Sequence, residues 1–172
     1  MPQYSYQHTQ VFKIIVITFF VSLLPWVSLL AQQTEKEAMA KLSFMVGNWK
    51  GPSTSFKNDT QNSVTVLEEV KYIMDGNLLV LNLNSPNLQL HTVINYSIKD
   101  STYYYQPFSK KGAGKYKGKI ESNQFIVYFN DQRRLVFEKT KNAEFHEYGE
   151  KLVNNRWEKY FEDILKQLPK KD

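Results

Sequence analysis

Hydrophobic and polar positions change period once along this chain, near residue 47. From Thr34 to Val46 the segment TEKEAMAKLSFMV sets Ala38, Leu42 and Met45 at helical spacing, with Phe44 nearby, which predicts one short amphipathic helix. Thr34 followed by Glu37 fits a capping box, and Gly47 ends the segment. Beyond it the pattern alternates as in strands, with turn signals at DGN (75–77), SPN (85–87), KDST (99–102), ESN (121–123), NDQ (130–132), TKN (140–142) and NN (154–155). These contain Gly, Pro, Asn or Asp, which tolerate turn dihedrals. Between them lie the expected strands: Trp49–Phe56, Val64–Met74, Leu78–Leu83, Leu88–Ile98, Tyr103–Phe108, Lys115–Ile120, Phe125–Phe129, Arg134–Lys139, Glu144–Glu150 and Arg156–Leu165. The loops are too short for parallel crossovers, which need roughly a dozen residues. The fold class expected is therefore all-β: an antiparallel up-and-down β-barrel of about ten strands with one short N-terminal helix, closed because closure removes exposed edges.

Within LSFMVGNWKG, Trp49 stands between Gly47 and Gly51 at the point where the period changes. A closed meander needs a plug at one end. Trp49 is placed to supply it, with the glycines letting the backbone bend and approach the ring. This stretch resembles the G-x-W element of lipocalin and calycin barrels. Taken in order, LSFMVGNWKG, EEVKYIMDGNLLV and FHEYGEKLVNNRWEKYFEDILKQL resemble landmarks of a bacterial family of lipocalin-like domains, from about Leu42 to Leu168. The resemblance implies a barrel of this kind and carries over no established activity. A neighbouring barrel family, the nitrobindins, binds haem through a histidine.

The first 31 residues belong to a different regime. After Lys13 the run IIVITFFVSLLPWVSLLA is apolar through Ala31 and turns polar at QQTEKE, the layout of a secretory signal peptide. Pro25, Ser28 and Ala31 favour cleavage near Ala31, although Leu29 is larger than is usual two positions before a cut. A retained anchor is the other reading, since the run approaches the roughly 17–20 residues that span a bilayer. Cleavage leaves residues 32–172 as one barrel domain, periplasmic or secreted, with no stable membrane insertion. The chain has no cysteine, so neither a disulfide framework nor a cysteine-linked lipid anchor is available. At 172 residues, 42% hydrophobic and 15% aromatic, it can bury a real core. Losing the leader's single lysine lowers the net charge from +5 to +4, a mild balance.

That balance bears on partners. Lys115, Lys117 and Lys119 recur at period two opposite Tyr116 and Ile120, a stripe for phosphate or lipid head groups or, more simply, a solvated face that discourages edge pairing. Nucleic acid would want a broader patch with aromatics on the same face, so no nucleic-acid partner is expected.

Chemistry concentrates on the last hairpin. With Asn154 and Asn155 at the centre of a type I′ turn, Val153 faces Arg156, Lys151 faces Glu158, Glu150 faces Lys159 and Glu147 faces Glu162. Like charges opposed across a ladder are destabilising unless Arg133 or Arg134 bridges them or one carboxyl holds a proton. Such a pair could also contact a ligand or, as in glycosidases, act as acid and base. His146, Tyr148, Leu152, Trp157, Phe161 and Leu165 share the more apolar face, which is assigned to the lumen. In TYYYQPF, Tyr103 and Tyr105 face one way and Tyr104 the other. No cysteine nucleophile, G-x-S-x-G elbow or P-loop spacing occurs, so no catalytic residue is named. No His and acid spacing suggests zinc, so no metal ligand is named either.

The function expected is binding of a small, partly apolar ligand in the lumen, with Trp49, Tyr105, His146, Tyr148, Trp157, Glu147 and Glu162 as candidate ligand-binding residues. The alternatives are a haem-binding, nitrobindin-like barrel using His146 or His91, and a hydrolase using Glu147 and Glu162. No cofactor is required by the first of these, and oligomeric state is left open.

Overall fold

The structure is a computed structural model that describes residues 34–57 and 60–169. The expected leader over residues 1–31 lies outside the described residues. The strands are β1 (Gly47–Lys57), β2 (Thr60–Ile73), β3 (Leu78–Asn84), β4 (Gln89–Ser97), β5 (Thr102–Ser109), β6 (Gly112–Ala113), β7 (Tyr116–Glu121), β8 (Gln124–Asn130), β9 (Arg133–Lys139), β10 (Phe145–Val153) and β11 (Arg156–Gln167). All ten expected strands are present within a few residues of their bounds. The addition is β6, two residues folded back on β5 alone. The others form a ten-strand antiparallel ring in which each strand pairs with its neighbour in the chain and β1 closes on β11. The fold is thus the closed up-and-down barrel read from the pattern.

Turn chemistry fixes the registers. Ser122 and Asn123 (φ 46° and 68°) join β7 to β8, and Asn154 and Asn155 (φ 49° and 60°) join β10 to β11. Two consecutive positive φ values are the requirement of a type I′ turn, whose twist matches that of the flanking strands.

The helix is shorter than the pattern suggested. The capping box is real, with the Glu37 amide donating to Thr34 Oγ1 at 3.1 Å and the Thr34 amide donating to Glu37 Oε2 at 2.8 Å. However, α1 spans only Glu35–Ala40, and a 3₁₀ turn follows at Ser43–Met45. The barrel accounts for the early stop: Tyr103 donates its hydroxyl to the Ala38 carbonyl and Tyr72 to that of Met39, both at 2.7 Å. Those oxygens also accept 3₁₀-type bonds from the Lys41 and Leu42 amides at 3.2 and 2.9 Å, the tightened last turn of a helix end, and the end of the helix there turns Leu42 and Met45 inward, both fully buried.

Trp49 lies beneath this cap. It is 2% exposed, and its indole N–H donates to the Met45 carbonyl at 2.8 Å. Its ring packs on Phe145 (centroids 5.4 Å apart), which begins a stack through Phe137 and Phe125 at 6.0 and 5.8 Å. The two glycines are explained separately. A Cβ on Gly47 would sit 2.9 Å from the indole, while one on Gly51 would run into the Ile164 carbonyl of β11, so Gly51 permits the closing pair of strands to approach. Removing the plug by Trp49→Ala is expected to destabilise the barrel by about 3–5 kcal/mol, the usual cost of truncating a buried large aromatic, read as a lower denaturant midpoint.

A candidate binding site in the lumen

The site is built by an irregularity in the last hairpin. From Val153↔Arg156 to Glu150↔Lys159 the pairing is as the sequence suggested; it then shifts, so that Gly149 faces Phe161, Tyr148 faces Glu162 and Glu147 faces Asp163. Tyr160 is the extra residue of a β-bulge, which bends its strand and re-aims the side chains beyond it. Gly149 makes this fit, because a Cβ there would collide with the rings of both Phe161 and Tyr160. As a result two successive aromatics line the lumen.

The bulge corrects two sequence expectations. Glu147 and Glu162 are not opposed: Glu147 is buried in the lumen, whereas Glu162 lies on the outer face beside His146 and Lys159. The apolar face of the hairpin is not wholly the inner one either. Phe161 and Leu165 point inward as expected, but His146, Tyr148 and Trp157 lie outside.

That outer face is a polar network. His146 Nδ1 is 2.8 Å from Glu138 Oε1 and its Nε2 is 3.2 Å from Glu162 Oε2. Lys159 donates to Glu162 at 2.6 Å and lies over the Tyr148 ring. Arg134 donates to Glu150 at 2.6 Å and stacks on Trp157 at 4.3 Å. His91 is also outside, with Nδ1 2.6 Å from Asn82 Oδ1. A haem in the lumen would find neither histidine there. The lysine stripe is a solvated face in which Lys115 and Lys119 lie over Tyr104 and Tyr128.

Inside, one layer above Trp49, Phe145 and Leu165, three carboxylates converge. Glu68 of β2, Glu147 of β10 and Asp163 of β11 each place an oxygen within 4.8 Å of the other two. They are 3%, 5% and 2% exposed. Both Glu68 oxygens, Glu147 Oε2 and Asp163 Oδ1 have no hydrogen-bond partner outside the trio, while Glu68 and Glu147 lie close enough to share a proton. Burial is the main cause of their perturbed acidity, since desolvation penalises the charged form and neighbouring anions add to it. It pushes Glu68 up to about 8, with Asp163 contributing. Glu147 is raised well above the usual carboxylate range by burial and then by Glu68 and Asp163, and burial lifts Asp163 to about 6.

Above the carboxylates opens a cavity of about 470 Å³ bordered by Glu147 and Asp163, with Ser53 and Ser55 beside them and Val64, Leu90, Tyr105 and Phe129 among its walls. Its rim reaches solvent at Leu88, which is 43% exposed. Of the sequence candidates, Tyr105 and Glu147 border this cavity and Trp49 lies in the packed layer below it. Glu68 and Asp163 were missed. Glu68 carried a signal, because it shares a strand face with Val64, Val66 and Val70; Asp163 carried none until the bulge was known.

No protein-family profile matches this chain, and neither does any curated protein. The ten-strand ring is consistent with a calycin-like fold.

The raised carboxyl pKa values make stability pH-dependent with a definite sign. A carboxyl whose folded pKa lies above its unfolded value of 4.5 binds more protons when folded, so its contribution to stability is complete below about pH 4.5 and is lost as pH rises through its folded value near 8. The urea midpoint should therefore fall between pH 5 and pH 8, and Glu68→Gln should raise the pH 8 midpoint and flatten the slope. An unchanged slope in that variant would mean that Glu68 is not the titrating group.

Proposed function

We propose that this chain is an exported, lipocalin-like container that holds one small, partly apolar molecule in its lumen. The observation that carries this reading is the cavity of about 470 Å³ between the aromatic plug and the rim. Its volume falls within the roughly 300–1,000 Å³ of small-molecule sites, and its walls have their usual character, apolar and aromatic surface with a few convergent polar groups. Export is supported by the apolar run that ends at Ala31. The histidine-ligated haem and paired-glutamate alternatives lose support from the outward positions of His91, His146 and Glu162.

Binding of a neutral solvatochromic dye such as Nile red, with native mass spectrometry for any co-purifying molecule, tests the container. Val64→Trp adds an indole to the cavity wall and should weaken dye binding about tenfold or more by removing volume. Equal affinity in a variant that melts at the parent temperature would place the dye elsewhere and remove the lumen from consideration.

A further inference from the structure

We propose that the lumen selects a primary alkyl or arylalkyl amine, taken up as its ammonium ion, with Glu147 and Asp163 receiving the head group and Glu68 completing the site behind them. This deepens the container reading and rests on it.

Geometry is the first support. An ammonium group carries three N–H donors, and acceptors about 2.8 Å from one nitrogen at tetrahedral angles lie about 4.6 Å apart. The three carboxylates offer oxygens no more than 4.8 Å from one another, a bound that admits this spacing, with Glu68 and Glu147 close enough to hydrogen-bond each other. An independent second support is the state of the oxygens that border the cavity: Glu147 Oε2 and Asp163 Oδ1, on side chains 5% and 2% exposed, receive no donor from outside the trio. Buried polar atoms are almost always satisfied, and those that are not call for an absent partner. Once the trio ionises, what is missing is a donor, and a cationic one.

Among the described residues, no lysine, arginine or histidine borders the cavity, so its acidic end finds no counter-ion in that lining. The rest of the cavity limits what the donor is attached to. Val64, Leu83, Leu90, Phe129 and Leu135 provide apolar wall directly above the acids, suited to a hydrocarbon body. A bare divalent cation would satisfy the oxygens and leave that wall without an occupant. A fatty acid would set a fourth carboxylate against three.

A proton balance follows. Carboxyls that hold protons in the empty barrel must release them to receive an ammonium ion, so affinity should rise with pH between 5 and 8.5. The raised values of Glu68 and Asp163, about 8 and 6, lie within that interval.

Isothermal titration of the full chain with octan-1-amine, octan-1-ol and octanoate separates the parts of this proposal. At pH 8 the amine should bind about tenfold or more tightly than the alcohol, the effect of at least one charge-assisted hydrogen bond, and octanoate more weakly than either. The measured heat should depend on the buffer's ionisation enthalpy, reporting released protons. Glu147→Gln and Asp163→Asn should each erase most of the amine's advantage over the alcohol, with an unchanged far-UV circular dichroism spectrum showing that the variants are folded. If the alcohol binds as well as the amine, or if the preference survives both substitutions, the amine site is overturned and the container stands. If none of the three binds, both fall. If Ca²⁺ or Mn²⁺ raises the melting temperature and displaces bound amine at micromolar concentration, the acids form a metal site and the amine proposal is overturned.

Discussion

At Tyr160 the two strands of the last hairpin fall out of step, and each side chain of β11 beyond that point faces the opposite way from where a regular ladder would put it. The lumen's acidic layer depends on this shift. It turns Asp163 inward beside Glu147, brings Leu165 into the packed layer with Trp49 and Phe145, and moves Glu162 out to His146 and Lys159. Because β11 also closes the ring against β1, the shift sets the partners of the first strand as well. Gly149 is the small residue on which this depends, since both aromatic rings at the bulge lean over it.

Packing and polarity divide the interior into two halves. Toward α1 the interior is packed: Trp49, the three stacked phenylalanines and the buried Met39, Leu42 and Met45 fill that end among the described residues. Toward the rim it is hollow. The carboxylates sit at the boundary between the two. Burying ionisable groups with unsatisfied oxygens opposes folding, and the aromatic stack beneath them supplies compensating burial. Local rules are commonly broken at functional sites and offset elsewhere in the fold, and this layer fits that arrangement.

The fold was legible because its signals are local. Period-two alternation, turn residues between strands and Asn154–Asn155 at a hairpin tip each act within a few residues, and each has a counterpart in the ring. The capping box at Thr34 was legible for the same reason. The helix end was not, because the hydroxyls that stop it belong to Tyr72 and Tyr103, far along the chain. The site was half legible. Tyr105 and Glu147 fall at the cavity, but choosing the lumen face by apolarity failed on β10, where the inner positions are Phe145, Glu147 and Gly149 and the outer ones include His146 and Tyr148. A face lined with acids and a glycine reads as solvent-facing until the ring is seen to close over it. The bulge itself leaves only a faint trace, an aromatic pair at Tyr160 and Phe161 where alternation should have placed one ring.

The stopper formed by Trp49 and the helical cap gives the barrel a direction. With that end filled, any guest of the proposed container would travel in and out by the same doorway, and whichever part of it led on entry would be the last to leave. Discrimination would then fall on that leading tip, which would meet the acids at the far wall, while the trailing portion would rest near Leu88 at the threshold and could lengthen outward. Such a vessel would be strict about the tip of its guest and lenient about length.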